Sequence, residues 1–233
     1  MEEFHSGRCE NCIVRQLNAL KTLSKEELVR ISDSKVTKSI KKGDAIFEEG
    51  EKLNGVFCVR NGVSKLSKMS DNGKDQIVKI ATKGEVLGQR SVITEDKTNL
   101  SAVALNDMEV CYIPKTHLTD SINNNVQFTK AMLLQMANDL KFADDLIVNM
   151  AQKSVKQRIA ETIRYLEKNF GVDQEGYIAM TLTREDIANI VGTAKEACIR
   201  TITNFKKEKW ISTHGKRIKI EDDKALYRLV EGF

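Results

Sequence analysis

A single proline, Pro114, splits this chain into two regions of opposite character. After it, no proline or glycine occurs between Lys115 and Phe170, so nothing in that stretch breaks a helix. Before it, glycines recur at Gly43, Gly50, Gly55, Gly62, Gly73, Gly84 and Gly88, at intervals of four to eleven residues. Between them lie β-type runs such as Val56-Phe57-Cys58-Val59, Val63-Ser64-Lys65-Leu66 and Gln76-Ile77-Val78-Lys79-Ile80. Asp71-Asn72-Gly73-Lys74 reads as a tight hairpin turn, because Asn-Gly tolerates the positive φ such turns demand. Short strands spaced this way from about Val36 to Ile113 predict a barrel, sandwich or roll. Pro114 ends them, in a turn or at a first helical position where its missing N–H costs little.

Within the uninterrupted stretch, Leu133, Met136, Leu140, Ala143, Ile147 and Met150 follow alternating spacings of three and four. That is an uncharged a/d seam, and it predicts a helix that pairs with a second copy of the chain. The helix is expected to pause near Gln152-Lys153-Ser154, with Ser154 capping a new helix through Phe170. At 233 residues, 41% hydrophobic and 30% charged, the chain is large enough for two domains with ordinary cores. No apolar run approaches the roughly 18 residues a membrane span requires, and the polar start MEEFHSGRCENC lacks a signal-peptide core. A cytoplasmic protein without membrane contact is expected.

The richest segment begins at Thr183. Thr183-Arg184-Glu185-Asp186 opens a short helix with a good N-cap and acids in its first turn. Ile187, Ile190 and Val191 give it an apolar face, and Gly192 supplies the tight turn between two crossing helices. Thr193-Ala194-Lys195-Glu196 reads as a capping box opening the second helix. There Cys198, Ile202 and Phe205 face the core, leaving Lys195, Glu196, Ile199, Arg200 and Thr203 on other faces. Arg200 is suited to donate to guanine O6 and N7, Glu196 to accept from cytosine N4, and Ile199 to touch a thymine methyl. Trp210 to Ile220 then gives two short strands about a His-Gly turn, a wing whose Lys216 and Arg217 are placed for phosphate. From Lys195 to Lys219 there are eight basic and two acidic residues, a local excess of 8 − 2 = +6 that suits double-stranded DNA.

The glycine-spaced strands, Asp107-Met108-Glu109-Val110-Cys111-Tyr112-Ile113-Pro114, the long helix, Leu182 to Asn189 and Gly192 to Arg200 together resemble the Crp/Fnr superfamily of bacterial transcription regulators. The resemblance covers nearly the whole chain. It implies an α+β protein with a cyclic-nucleotide-binding-type β-roll, a long dimerisation helix and a C-terminal winged helix-turn-helix. Such a protein binds a palindromic operator as a homodimer, with RNA polymerase as a further partner. The divisions it suggests are 1–23 for an N-terminal cysteine-bearing segment, 24–120 for the roll, 121–153 for the dimerisation helix and 154–233 for the winged helix. Arg200 and Glu196 match the family's base-reading positions, and Thr183 joins the expected DNA contacts.

Two departures bear on the signal. Cyclic-AMP binders of this family carry a glutamate and an arginine around the phosphate. Here Gln89 and Leu100 stand at those places, and Arg90-Ser91 lies too early to substitute, so cyclic AMP is not the expected ligand. The oxygen-sensing branch holds a four-iron cluster with N-terminal cysteines and one on a roll strand. Cys9-Glu10-Asn11-Cys12 and Cys111 match that pattern, but the next expected cysteine is Asn18. A cluster on Cys9, Cys12 and Cys111 therefore needs another ligand: a carboxylate such as Asp144 or Asp145, His5, an exogenous group, or Cys58, which reads as an apolar strand residue. Thiol/disulfide chemistry at the Cys-x-x-Cys, binding of a different metal, and a small ligand in the roll remain open alongside the cluster. The odd cysteine count and absent signal peptide argue against a disulfide framework. Cys198 is expected in the core, His117 and His214 at the surface or in turns. No nucleophile–base pair or phosphate-cradling loop points to an enzyme.

Overall fold

The computed structural model describes residues 7–232. The described chain opens with a run of 3₁₀ turns, Cys9–Asn11, Ile13–Leu17 and Ala19–Thr22. A helix that the sequence pattern did not reveal follows, α1 (Lys25–Ser34). Ser24 caps it: its hydroxyl accepts from the Glu27 N–H, and the Glu27 carboxylate accepts from the Ser24 N–H at 2.7 Å.

The strands are β1 (Val36–Ile40), β2 (Ala45–Phe47), β3 (Gly55–Asn61), β4 (Ser64–Met69), β5 (Asp75–Ala81), β6 (Val86–Leu87), β7 (Ser101–Ala104) and β8 (Met108–Pro114). They form two four-stranded sheets, ordered β1-β8-β3-β6 and β2-β7-β4-β5. Consecutive strands mostly fall in different sheets or apart in one, as in a roll. Gly73 turns the β4–β5 hairpin with φ +76°, as Asn-Gly predicts. A short helix, α2 (Gln89–Thr94), interrupts the strands where the sequence reading expected none. Between the sheets and the N-terminal turns lies one core, including Phe47, Val56, Val59, Leu87, Val110 and Ile113.

Pro114 closes β8 and caps α3 (Lys115–Asn124). The long helix α4 (Val126–Gln152) starts only at Val126, because Asn125 ends α3 in an extended conformation. The Asn125 Oδ1 then accepts from the Phe128 N–H at 3.0 Å. Ser154 caps α5 (Val155–Phe170) with a full capping box to Gln157, as expected. The rest is α6 (Arg184–Val191), α7 (Lys195–Lys207), the antiparallel hairpin β9 (Ile211–His214) and β10 (Arg217–Ile220), and α8 (Asp223–Glu231).

The chain divides into two compact units, and the division falls inside α4. The first holds residues up to Met69 and Val78–Lys141; the second holds Ser70–Ile77 and residues from Phe142 onward. The core of the second is built by Ile159, Ile163, Leu166, Ile187, Cys198, Ile202, Phe205, Ile211 and Leu226. Each large apolar side chain buried there contributes about 1.5–3 kcal/mol.

Candidate nucleic-acid interface and thiol site

In the second unit, α6 is held by a capping box in which Thr183 Oγ1 accepts from the Asp186 N–H at 3.0 Å and donates to its carboxylate at 2.6 Å. Gly192 ends α6 in the left-handed region, φ +68°, which a side chain resists. The second helix does not open as the sequence suggested. Ala194 is its N-cap and offers no side-chain hydrogen bond, so the capping box expected from Thr193 to Glu196 is absent. Glu196 is consequently not a capping acid. It lies exposed in the first turn, where the helix dipole favours a carboxylate.

The faces of α7 segregate cleanly. Cys198, Ile202 and Phe205 are buried, and the Phe205 and Trp210 rings pack at a centroid separation of 5.3 Å. Lys195, Glu196, Ile199, Arg200 and Thr203 are exposed. Ile199 is 44% exposed, an apolar side chain presented to solvent in the middle of a polar face. Lys195 Nζ sits 3.0 Å from the Glu185 carboxylate at the start of α6, an exposed pair that a phosphate could displace.

The wing differs from the sequence reading in one respect. Lys216 is exposed at its tip, beside Gly215. Arg217 is engaged within the protein: its guanidinium pairs with Asp173 at 2.6 Å and Glu175 at 2.7 Å, and lies 4.2 Å from the Tyr177 ring centroid. Asp173 and Glu175 thus engage two of the guanidinium donors of Arg217 and offset its charge, which leaves Lys216 the freer of the two wing cations. The sequence also missed Arg184, which reaches from α6 to donate to the carbonyls of Gly215 and Lys216, each at 3.3 Å, and so fixes the wing against the first helix. A basic residue among the first-turn acids of α6 was the only signal for it. His214 is exposed in the wing, as expected.

Along α4, Leu133, Leu140 and Ile147 are 65%, 65% and 66% exposed. Met136, Ala143 and Met150 are half-buried, and Met136 packs on the core of the roll. Leu134 and Val148 are also exposed, at 63% and 58%, so the outward apolar face lies to one side of the seam read from spacing, whose other edge is partly covered by its own chain.

In the first unit, the 3₁₀ turns lie on the roll and bring cysteines from distant parts of the sequence together. Leu17 packs on Gly84, whose φ is +94° and where an added Cβ would lie 2.5 Å from the Leu17 Cβ. Asn18 Nδ2 donates to the Gly84 carbonyl at 2.8 Å and approaches the Cys58 Sγ at 3.6 Å. The Cys9 N–H donates to Ser32 Oγ at 2.6 Å, and Ser32 donates to Glu10 at 2.7 Å, so α1 braces the turn that carries the Cys-x-x-Cys. Cys9, Cys58 and Cys111 are buried and Cys12 half-buried, all without disulfides. Burial, then repulsion from Cys111, Cys12 and Cys9, pushes the Cys58 thiol up to about 12. Burial likewise raises Cys9, against the opposing charge of Lys35. Lys35 Nζ also lies 4.0 Å from Cys111 Sγ, and Thr37 Oγ1 lies 3.9 Å from it.

The other candidates fall elsewhere. His5 lies outside the described residues. Asp144 and Asp145 are exposed on α4, and His117 Nε2 bonds Ser34 Oγ at 2.6 Å. Cys198 is buried in the core of the second unit, as its helical position predicted. Around the altered phosphate cassette, Arg90 is exposed and Leu100 half-buried, so neither presents a buried cation.

A helix–Gly–helix with an outward polar face, followed by a hairpin wing and preceded by an eight-stranded roll, defines a DNA-binding transcription regulator rather than an enzyme. Sequence comparison agrees with this class. Residues 37–125 match the cyclic nucleotide-binding domain family, and residues 157–229 match the Crp-like helix-turn-helix domain family. The chain belongs to the Crp/Fnr family. It is 29% identical to the fumarate and nitrate reduction regulatory protein of Yersinia pestis over 226 residues, 95% of this chain and 89% of that one. The protein of the same name in Escherichia coli strain K12 is 28% identical over the same shares. Among solved structures, a crp/fnr family regulator from Eubacterium rectale superposes with a TM-score of 0.77 at 21% identity, over 91% of this chain and 96% of that one. FixK2 from Bradyrhizobium japonicum gives 0.74 at 22% identity, over 84% and 96%.

Proposed function

We propose that this regulator is a cytoplasmic homodimer that reads a palindromic operator and responds to oxygen or redox state through a four-iron cluster. The observation that carries the sensing part is the gathering of Cys9, Cys12 and Cys111 on one face of the roll by an N-terminal segment braced against α1. The donor chemistry fits such a group. Among the described residues no three His, Cys, Asp or Glu side chains form a ready-made site for a single metal ion, whereas the ligands of a four-iron cluster are thiolates, the groups that these cysteines supply. When bound, the cluster would supply oxygen-sensitive redox chemistry to a buried site. The names of the fumarate and nitrate reduction relatives, with their near full-length coverage, support the same direction.

Each part of the protein has a distinct task. Lys35 stands where it would offset the negative charge of Cys9 and Cys111 if they held the cluster. The exposed stripe of Leu133, Leu140 and Ile147 packs against its symmetry mate, burying apolar surface that otherwise faces water. Glu196 and Arg200 read base edges, Ile199 meets a thymine methyl, and Lys195 and Lys216 contact phosphate. Thr183 acts through its cap, which sets the entry of α6. Family membership supports RNA polymerase as the partner on the operator. The cytoplasmic placement rests on its DNA target; among the described residues no helix is long and apolar enough to cross a membrane.

The test begins with anaerobic purification, followed by iron, acid-labile sulfide and visible absorption before and after air. The operator is obtained by selecting random duplexes with the parent protein. Stoichiometric iron and sulfide, an air-bleached band and operator binding weakened by air are expected, with Cys9→Ser and Cys111→Ser abolishing that oxygen dependence. Equal aerobic and anaerobic affinities in parent and variants would refute the sensing role and leave DNA binding standing. Calorimetry with cyclic AMP is expected to show no heat, because Leu100 provides no cation for the phosphate.

A further inference from the structure

Three cysteines leave a four-iron cluster one ligand short, and Asn18 stands where the resemblance to the oxygen-sensing branch implies the missing thiol. The tertiary structure shows what lies beside Asn18. Its amide nitrogen is 3.6 Å from the sulfur of Cys58, a residue forty positions away in sequence. Asn18 is held there by its bond to the Gly84 carbonyl and by Leu17 seated on Gly84.

Cys58 is also tied to the other end of the set. In the β3–β8 ladder, Cys58 and Cys111 are direct partners. Facing residues of an antiparallel pair project to the same side of the sheet with Cβ atoms about 4.5–5.5 Å apart. The two sulfurs therefore share the face on which the N-terminal turns lie, and Cys9 and Cys12 pack against that same core. A thiol in a strand of this roll needs no such company; valine or alanine would fill the position equally well.

We propose that Cys58 is the fourth thiolate of the cluster site, replacing from strand β3 the ligand that the N-terminal segment lacks at Asn18. This rests on the cluster reading above. On ligation the Cys58 S–H bond is lost, its proton passes to solvent, and a sulfur–iron bond forms, as at the other three cysteines. Two ligands then come from the N-terminal segment and two from adjacent strands, so that filling the site clamps the segment onto the roll.

The experiment compares iron, sulfide and the visible band in anaerobically reconstituted parent, Cys9→Ser, Cys58→Ser and Cys58→Ala proteins, with near-ultraviolet circular dichroism reporting the fold. About four irons per parent chain, and loss of the band and most of the iron in both Cys58 variants with the fold kept, is the expected result. A parent that takes up no iron overturns the cluster reading and this inference with it. A parent that holds the cluster while both Cys58 variants hold it equally overturns this inference alone. Where a Cys58 variant folds poorly, the double variant Asn18→Cys/Cys58→Ala decides. Regained iron supports the assignment, because the new thiol stands next to the vacated position; a parent-like yield of folded protein without iron overturns it.

Discussion

Lys216 and Arg217 are neighbours on the wing, and sequence alone gives them the same role. The structure separates them. Lys216 is exposed at the tip, whereas Arg217 spends its donors on Asp173 and Glu175 and stacks on Tyr177. Each phosphate contact made by a cation contributes about 0.9 to the slope of log affinity against log salt. In the homodimer proposed above each substitution counts twice, so Lys216→Ala is expected to reduce the slope by about 1.8. Between 50 and 200 mM salt, a fourfold change, that variant should lose affinity roughly twelvefold less than the parent does. Arg217→Ala should leave the slope unchanged, because its positive charge is already neutralised within the protein. The assay is fluorescence anisotropy of a labelled operator across a salt series, with slopes fitted for the parent and both variants. Equal slope losses in the two variants would refute the reasoning, since they would mean that Arg217 leaves its carboxylates on binding. A reduction near 0.9 for Lys216→Ala would instead show that only one wing engages phosphate.

Arg200→Ala should cost roughly 1–3 kcal/mol of discrimination per half-site, measured as affinity for the selected operator against one with the contacted guanine exchanged; a uniform loss on both duplexes would show a phosphate role instead. Phe205→Ala removes a fully buried ring stacked near Trp210 and should destabilise the winged domain by about 3–5 kcal/mol, read by urea unfolding followed at the tryptophan. Glu27 accepts bonds from Ser24 and Asn125, and although burial opposes it, these hold its pKa below the ordinary 4.5. The stability it contributes is therefore full above pH 4.5 and lost as pH falls through the lowered value. Glu27→Gln should flatten the acid limb of a stability profile below pH 4.5, and an unchanged limb would discount this pair of contacts.

What could be read directly were features written in local pattern. Glycine spacing and Asn72-Gly73 pointed to a barrel, sandwich or roll, because turns with positive φ demand such residues wherever they fall, and the family resemblance narrowed this to a roll. Ser154 and Thr183 announced helix starts, because capping uses atoms three residues apart. The α7 face of Lys195, Glu196, Ile199 and Arg200 followed from helical periodicity, with Cys198, Ile202 and Phe205 opposite. Local pattern also misled where two local solutions competed: Thr193 and Glu196 have capping-box spacing, but the chain places Ala194 at the cap.

Tertiary structure decided everything that depends on residues far apart in sequence. Asp173 and Glu175 reserve Arg217, Arg184 grips the wing, and the roll covers Met136 on one edge of the α4 stripe. No periodicity encodes such pairings, because each is fixed by how elements pack rather than by spacing along one of them. The same holds for the thiols. Cys9-x-x-Cys12 was visible as a motif and Cys111 through the family resemblance, whereas Cys58 was one of several candidate ligands and read as an apolar strand residue until strand register set it opposite Cys111 and the N-terminal fold laid Asn18 upon it.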